Sequence, residues 1–390
     1  MTKLPIYLDN NATTPMDQRV LEAMIPYFTE HFGNAASSGH VFGRTARAAV
    51  EKSRAQIARC LHAASPLEIV FTSGATESDN LAIKGAAELL QEKGRHLITS
   101  LTEHKAVIDS YKHLEKLGWS VTYLGVDETG MISLAELKSA IRPDTVLVSI
   151  MAGNNEIGVL QDIQSIGTLC REEGVLFHTD ATQAIGKVPF DVRDMNVDMA
   201  SFTAHKIYGP KGSGGLYVRH QSGLKLVAQM DGGGHENGYR SGTLNVAGIV
   251  GLATALQLCM EDMPAEIDRL VYLRTRLHDG LKEKLGDVCV NGHESRRLPG
   301  HMSIALNGIN GETLMMMMPE VAISSVSACS SGSGTTSHVL SALGASEERA
   351  LSTLRFGIGR FNDRNDIDYA VDRIAEHGRT LRAARKASAG

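Results

Sequence analysis

The stretch Glu68-Ile69-Val70-Phe71-Thr72-Ser73-Gly74-Ala75-Thr76-Glu77-Ser78 decides the fold of this chain. Ile69–Thr72 has the pattern of a buried strand, the glycine marks a turn, and a helix is predicted to begin near Glu77. The first turn of a helix has free backbone N–H groups and the positive end of the helix dipole, so this arrangement binds phosphate, to which the Thr76 hydroxyl can add a bond. An ordinary helix cap has the same short signature, so other segments must decide between the two.

The alternation that begins here extends from about residue 65 to residue 220, where short β-rich runs alternate with helix-length segments. Such alternation is typical of βα units that build a mainly parallel sheet. We therefore predict an α/β protein with a mainly parallel seven-stranded sheet in its large domain. Ligands of open α/β sheets bind beyond the carboxyl ends of the strands. The predicted strands are Glu68–Thr72, His96–Ser100, Val121–Leu124, Val146–Met151, Val175–Thr179, Met199–Phe202 and Gly215–Arg219.

The C-terminal part of the chain has a different pattern. Residues 264–285 predict a long amphipathic helix that connects the sheet to a smaller α+β unit. We predict a large domain over residues 15–262 and a small domain formed by residues 1–14 and 263–390. A Ser/Gly/Thr-rich stretch over about residues 324–337 has low complexity, and we expect it to be mobile.

The composition argues against several classes of protein. The chain has 390 residues, 43% of them hydrophobic, and a net charge of −5 without a block of Lys or Arg, so neither nucleic acid nor an anionic membrane is an expected ligand. Five scattered cysteines without a C-x-x-C pair predict neither a disulfide framework nor a zinc knuckle. The N-terminus lacks the pattern of a secretion signal, and apolar runs such as Leu314–Met318 are far shorter than the roughly 20 residues that span a bilayer. We expect a cytoplasmic protein without a transmembrane segment.

A lysine follows the predicted strand Met199–Phe202. Lys206 is preceded by Thr203, Ala204 and His205 and is placed to form a Schiff base with an aldehyde, as lysines do with pyridoxal phosphate. A desolvated site lowers the pKa of such a lysine and makes the neutral amine available. Lys211 is the rival, and a solvated surface charge is the common alternative for either lysine.

Two other strands end in side chains that suit a cationic aromatic ring. Asp180 ends an apolar run, where a carboxylate needs a cation such as a protonated pyridine nitrogen, and Gln183 can reach a ring hydroxyl. An Asp that caps the next helix would give the same pattern. His104 follows the strand His96–Ser100 and is placed to stack on a planar ring; a histidine satisfied by loop carbonyls is the alternative. The histidines and cysteines form no cluster at ligand spacing, so no metal site is predicted.

Seven segments together resemble the group I cysteine desulfurases of the IscS/NifS type, in the class-V aminotransferase-like family, over about residues 6–370. Each motif is short, but their order and spacing are specific. The segments are Tyr7–Pro15, Phe71–Asn80, Thr102–His104, Asn154–Gly158, His178–Gln183, His205–Gly212 and Arg240–Thr243. The resemblance implies a pyridoxal-phosphate enzyme of fold type I that is a homodimer and converts L-cysteine to L-alanine. It also implies that the sulfur leaves as a persulfide for an acceptor such as an iron-sulfur scaffold protein.

The resemblance further implies a role for individual residues. Lys206 resembles the Schiff-base lysine, Asp180 the partner of the pyridine nitrogen, and Gln183 the partner of the ring hydroxyl. His104 resembles the stacking residue, and Arg355 the clamp for the substrate carboxylate, for which a bidentate guanidinium is suited. The other matching positions are Ala75, Thr76, Thr203 and His205 as phosphate contacts, Asn155 beside ring and substrate, and Thr243, which reaches the site of the other subunit.

Cys329 lies in Ser324–Gly334, which resembles the loop that carries the nucleophilic cysteine of group I. The resemblance implies that the Cys329 thiolate takes the substrate sulfur and carries it outward, with a base such as His104 helping to deprotonate a thiol. A buried free cysteine that packs as a small hydrophobe is the alternative. We prefer that alternative for the remaining cysteines, Cys60, Cys170, Cys259 and Cys289.

The chain also departs from the family pattern. Val326 stands where the family has Gly, Gly334-Thr335-Thr336 stands in place of Leu-Glu-Pro, and Ala35 replaces a usual Pro. A β-branched residue does not readily adopt positive φ, so the path of the loop differs or its backbone is ordinary there. Residues 382–390 do not resemble the tail with which housekeeping members hold a scaffold, which leaves the sulfur acceptor open, as is the use of selenocysteine. Two other functions remain open: a lyase or aminotransferase in which Cys329 is incidental, and an assembly partner without turnover.

Overall fold

The computed structural model describes residues 4–220, 224–325 and 337–389. Its strands are β1 (Ile6–Tyr7), β2 (Ile69–Thr72), β3 (His96–Ser100), β4 (Ser120–Leu124), β5 (Thr145–Ser149), β6 (Leu176–Asp180), β7 (Met199–Thr203), β8 (Gly214–Val218), β9 (Val288–Val290), β10 (His301–Leu306), β11 (Val321–Ala322), β12 (Ser324–Ser325) and β13 (Thr353–Gly357). Its α-helices are α1 (Gln18–Met24), α2 (Pro26–Thr29), α3 (Val41–Cys60), α4 (Ala75–Leu90), α5 (Lys105–Lys116), α6 (Leu134–Ala140), α7 (Ile163–Glu172), α8 (Val246–Leu285), α9 (Gly311–Met317), α10 (His338–Ala342), α11 (Glu347–Leu351) and α12 (Arg364–Ala389).

The central sheet has seven strands in the order β2-β8-β7-β6-β5-β3-β4. Only β8 is antiparallel to its neighbours, so the prediction of a mainly parallel seven-stranded sheet is confirmed. Each predicted strand is present, with its ends shifted by no more than two residues. The prediction was furthest off at the end of β5, because the N–H of Met151 donates to the Glu103 side chain (2.7 Å) rather than extending the ladder.

Helix α8 is 40 residues long, so its predicted start at residue 264 was wrong. Pro264 lies inside the helix, and the apolar residues before it continue the helix into the core beside the central sheet. Helix α8 therefore crosses residue 262, and the domain limits given above stay a prediction. Its length and composition would also suit a membrane span. However, 56% of its most apolar 18-residue stretch is buried inside the protein, as expected of a core helix.

A second hydrophobic core lies around the four-stranded antiparallel sheet β12-β13-β10-β9. It contains the C-terminal half of α8, part of α12, and Ile6 and Leu8 from the N-terminus. Strand β1 pairs in parallel with β11, so the N-terminal segment begins at this core and then runs to the central sheet. The chain between β1 and α1 thereby lies between the two cores.

A buried ion pair anchors the loop between β8 and α8 to the central sheet. Both carboxylate oxygens of Glu236 accept from the Arg54 guanidinium at 2.7 Å, and one of them also accepts from the N–H of Phe71 at 2.7 Å. The Arg54 and Glu236 side chains are 6% and 1% exposed. A buried ion pair of this kind becomes costly once either partner is removed.

We expect Glu236→Ala to destabilise the protein by about 3–5 kcal/mol, because it leaves the guanidinium of Arg54 buried without its carboxylate. The loss is measured as a lower denaturation midpoint in urea or on heating. Glu51→Ala is the matched control, since Glu51 pairs with the same arginine at an exposed position and should cost less than about 1 kcal/mol. Equal losses for the two variants would contradict the role of the buried pair.

Candidate active site

A cavity of about 700 Å³ opens at the carboxyl ends of the parallel strands. This volume is within the range of about 300–1,000 Å³ that small-molecule sites occupy. The cavity is where an open α/β sheet is expected to bind its ligand. The predicted site residues that line it are Ala75, Thr76, His104, Asn155, Asp180, Gln183, Thr203, His205, Lys206 and Arg355.

One end of the cavity is formed by the turn from β2 into α4. The helix begins at Ala75, two residues before the predicted start near Glu77, and its N-cap Gly74 (φ 155°) offers no side chain to the free N–H groups. A Cβ atom on Gly214 would lie 2.6 Å from the Cα of Gly74, so only glycine permits this approach of β8. The open N–H groups of the first helical turn remain available for an anion, with the exposed Thr76 beside them.

The side chain of Glu77 stabilises this turn through contacts that were not predicted from the sequence. Its carboxylate accepts from the N–H of Ser73 at 2.8 Å and from Nε of Arg240 at 2.7 Å. Burial opposes the ionised form, but the hydrogen bonds from Arg240 and Ser73 outweigh it and lower the pKa of Glu77. The arginine thereby offsets the negative charge that Glu77 brings to a predicted phosphate site.

Lys206 lies at the end of a 3₁₀ turn that follows β7. Its Nζ donates to the carbonyl oxygens of Asn11 at 2.6 Å and Ala12 at 2.5 Å, which hold the side chain in the cavity. Lys211 also lines the cavity, but it is exposed whereas Lys206 is half-buried. Partial desolvation favours Lys206 as the amine that is available for a Schiff base.

Asp180 ends β6 with its side chain in the cavity, and its Oδ1 accepts from the N–H of Thr182 at 3.0 Å. Two other carboxyl groups, Asp79 and Glu103, are fully buried nearby. Burial raises the pKa of both well above the usual range, and the charge of Asp180 raises them further. His178 is also buried, which lowers its pKa to about 3, so it is a neutral imidazole held by two serine hydroxyls.

His104 is exposed at the mouth of the cavity and is the N-cap of α5. Its Nδ1 accepts from the N–H of Ala106 at 3.2 Å. The neutral tautomer that keeps this cap carries its proton on Nε2, so the outer nitrogen is a donor. To act as the predicted base, His104 must therefore release the cap or exchange tautomers, whereas stacking on a ring requires neither.

Thr203 is the last residue of β7, and His205 directly precedes Lys206. Thr203 donates its hydroxyl to the carbonyl of Ser213 at 3.2 Å, and Nδ1 of His205 lies 3.1 Å from the Thr13 hydroxyl. Burial, and then the positive charges of nearby lysines, lower the pKa of His205 to about 4. At neutral pH the imidazole of His205 can contact a phosphate as a hydrogen-bond donor rather than as a cation.

The guanidinium of Arg355 is already bound by three groups of the protein. Nη2 donates to Asp9 Oδ1 at 2.9 Å and to the Ser324 hydroxyl at 3.1 Å, and Nη1 donates to the carbonyl of Asn155 at 3.2 Å. Within the described residues its Nε has no partner. A bidentate grip on a carboxylate therefore requires this arginine to share or exchange one of its present acceptors.

One predicted site residue does not line the cavity, and another lies outside the described residues. Thr243 is exposed and is not among the residues that line it, so its reach to another subunit stays a prediction. Cys329 and Val326 lie outside the described residues. The described residues on either side contact the site: Ser324 accepts from Arg355, and the Ser337 hydroxyl donates to Glu156 at 2.5 Å.

The four described cysteines fit the interpretation of packing residues. Cys170 and Cys259 are buried, and Cys60 and Cys289 are half-buried. Burial raises the pKa of Cys60 to about 11 and that of Cys170 to about 12, so these thiols are protonated at neutral pH and are weak nucleophiles. In the part of the chain that the structure describes, no group of three or more His, Cys, Asp or Glu residues is placed to hold a metal.

The N-terminal segment Tyr7–Pro15 contributes contacts that its sequence does not predict. In the structure Asp9 holds Arg355, and the backbone of Asn11 and Ala12 holds Lys206. The signal was a run of polar residues directly after an apolar strand, which indicates a site but does not say which group each residue contacts.

Comparison with known proteins supports the resemblance over nearly the whole chain. The family model of class-V aminotransferases matches residues 6–370. The chain is 54% identical over 380 residues to a cysteine desulfurase IscS of Anaeromyxobacter sp. (strain K). The aligned region covers 97% of this chain and 94% of the relative. It is 53% identical, with the same coverage, to a cysteine desulfurase IscS of Methylococcus capsulatus (strain Bath). Among solved structures, a NifS-like protein superimposes with a TM-score of 0.89 at 38% identity, over 95% of this chain and 98% of that one. A structure of SspA in complex with cysteine gives a TM-score of 0.81 at 39% identity, over 90% and 98% of the two chains.

We expect Asp79→Asn to stabilise the protein increasingly as the pH rises. In the folded protein the pKa of Asp79 is raised, mainly by burial, whereas in the unfolded chain it ionises near its ordinary value of about 4. Above that pH unfolding releases a proton, so the wild type loses stability as the pH rises until Asp79 also ionises in the folded state. The measurement is the difference in Tm between variant and wild type at about pH 5, 7 and 9. Glu128→Gln, at an exposed carboxylate, is the control, and a Tm difference for Asp79→Asn that stays constant with pH would contradict the prediction.

Proposed function

The chain belongs to the class-V aminotransferase family, and we propose that it is a pyridoxal-phosphate-dependent cysteine desulfurase that transfers the sulfur of L-cysteine to Cys329. The observation that carries the proposal is the convergence of Lys206, Asp180 and Arg355 on one cavity, in a chain that aligns with cysteine desulfurases over 97% of its length. A lysine, a carboxylate and an arginine are the groups that an amino-acid substrate and a pyridine aldehyde require. The same set is not expected of a protein that acts only in assembly.

The residues of the cavity fit pyridoxal phosphate. The uncapped N-terminus of α4, with Thr76, Thr203 and His205 near it, suits the phosphate, and Lys206 suits the aldehyde. Asp180 suits the pyridine nitrogen, because its carboxylate ends β6 in the cavity, where a cation can pair with it. When bound, this cofactor supplies an electron sink for the substrate amino acid.

The substrate carboxylate binds Arg355, in our proposal, with Asn155 beside it. Arg355 is oriented by Asp9 before substrate arrives, so that little side-chain freedom is lost on binding. Cysteine fits such a site as a small zwitterion whose thiol extends toward His104 at the cavity mouth. The charged groups of the site thereby select an α-amino acid.

The sulfur transfer is a displacement at the substrate sulfur. The Cys329 thiolate forms an S–S bond with the substrate Sγ as the substrate C–S bond breaks, and the electron pair of that bond stays with the carbon, which is then protonated to give alanine. The product on the enzyme is a persulfide on Cys329. A reductant or an acceptor thiol subsequently removes the outer sulfur.

We also propose that the protein is a cytoplasmic homodimer that passes sulfur to an acceptor protein, such as an iron-sulfur scaffold. Exposed aromatic side chains near the N-terminus support the dimer. Phe28 and Phe32 are 61% and 64% exposed, and the ring of Phe32 stacks on that of Phe42 with 5.4 Å between the ring centroids. Apolar side chains of this size are common at subunit interfaces. In such a dimer Thr243 of one protomer reaches the phosphate of its partner.

We expect Cys329→Ser to retain the yellow colour of the bound cofactor and to lose sulfide release. Incubation of the wild type with cysteine alone should add the mass of one sulfur atom to the peptide that contains Cys329. Cys289→Ser, at a half-buried cysteine, is the matched control and should keep both properties. Turnover of cysteine by Cys329→Ser, or formation of pyruvate without persulfide, would instead support a lyase or an aminotransferase.

We expect Lys206→Ala to abolish the absorbance of covalently bound pyridoxal phosphate, because the variant lacks the amine for the Schiff base. Lys211→Ala is the matched control, since this exposed lysine lines the same cavity. The absorbance of each purified protein is recorded after addition of the cofactor and again after removal of the excess. The assignment of Lys206 fails if only the Lys211 variant loses the colour.

A further inference from the structure

Lys187 is a second half-buried lysine close to the site, and it has no place in the mechanism given above. It follows β6, and its Nζ donates to Oε1 of Gln183 at 2.7 Å. Burial, followed by the charge of Lys206, lowers the pKa of Lys187 to about 7. Within the described residues no carboxylate lies within salt-bridge distance of Lys187, and the acceptor that the structure provides for its amine is an amide oxygen.

The charged groups around Lys187 are engaged elsewhere or are neutral. Lys187 lines a second, smaller cavity together with Glu266 and Arg360. Glu266 pairs with Arg269, and Arg360 pairs with Asp17. The imidazole of His301 and the thiol of Cys259 line the same cavity. Burial is the main cause that lowers the pKa of His301 and raises that of Cys259, so both are uncharged at neutral pH. Arg355 adds a further cation on the side of the main cavity. Protonating a lysine in this position is costly because other cations lie around it, and perturbed groups of this kind cluster at functional sites.

Gln183 connects this lysine to the main cavity. Its Oε1 accepts from Lys187 and from Nδ2 of Asn11 (3.3 Å), so both described contacts of this oxygen are with donors. Its Nε2 donates to the Asn11 carbonyl at 2.9 Å, which also accepts from Lys206. An amide NH₂ group has two N–H bonds, and the second is available to a ligand in the main cavity. Lys187 and Lys206 are thus linked through Gln183 and Asn11.

We propose that Lys187 is a positioning residue that fixes the amide of Gln183 with its NH₂ group toward the cofactor ring and strengthens it as a donor. The proposal rests on the proposed function and on the role that the family resemblance implies for Gln183, which is to hold the ring hydroxyl of pyridoxal phosphate. An ammonium group that donates to an amide oxygen polarises the amide, and such cooperative strengthening is larger in a buried site than in water. The stronger donor stabilises the ring oxygen as an anion. That anion holds the neighbouring Schiff-base proton less tightly than a more basic ring oxygen would.

The test is a pH titration of the visible absorbance of the holoenzyme, without substrate. Lys187→Met removes the cation and keeps the apolar length of the side chain, so we expect the pH midpoint of the absorbance change to rise by about one unit, a tenfold change in proton affinity. Lys187→Gln serves as a second variant with a polar end, and Lys187→Arg should restore a midpoint close to that of the wild type. A midpoint in Lys187→Met equal to that of the wild type would overturn the proposal.

A double-mutant cycle separates a relay through Gln183 from a direct electrostatic effect. We expect Lys187→Met to shift the midpoint in the wild type but not in a Gln183→Ala background, because the relay is absent there. An equal shift in both backgrounds would contradict the positioning role. Failure of the proposed function has a different signature, since a protein that takes up no pyridoxal phosphate shows no absorbance to titrate, whereas a yellow enzyme with an unchanged midpoint contradicts the role of Lys187 alone.

Discussion

The hydrogen bonds that the backbone of Asn11 and Ala12 accepts from Lys206 hold the site together. These carbonyl groups belong to the N-terminal segment, which begins at the second core and is fixed there by Asn10, whose amide donates to the Gly357 carbonyl at 2.8 Å. On its other side the segment binds the chain around Lys206, since Thr14 donates to the His205 carbonyl. The position of Lys206 therefore depends on contacts from both cores. A side chain held in this way loses little freedom when a ligand arrives.

The parallel sheet places most of the charged groups of the site at a single edge. Asp180 comes from β6, Lys206 follows β7 and His104 follows β3, although these residues are far apart in sequence. The same part of the sheet also buries the two acids Asp79 and Glu103, and this burial raises the pKa of both. Asp180 and two glutamates, Glu77 and Glu156, line the cavity, and Glu77 already pairs with Arg240.

The sequence predicted the central sheet well, because strands buried on both faces have strong apolar patterns. It also identified most of the cavity, because residues that follow successive parallel strands meet at one edge. Contacts between distant segments could not be predicted. The pairs Arg54–Glu236, Glu77–Arg240 and Asp9–Arg355 join residues more than 150 positions apart, and no local period encodes them. The start of α8 was misplaced because Pro264 is typical of a helix start, while burial of the residues before it continued the helix.

Helix α8 has a mechanical consequence for the whole protein. Its first half supplies Val246 to Cys259 to one core, and its second half supplies Leu270 to Leu285 to the other. A helix of 40 residues extends about 60 Å, and bending it sharply would break backbone hydrogen bonds except where one is already missing, at Pro264. The two cores are therefore connected by one stiff helix. If either core unfolds, apolar residues become exposed on the same helix that the other core needs in order to stay packed. Calorimetric unfolding should accordingly be cooperative across both cores rather than occur in two independent steps.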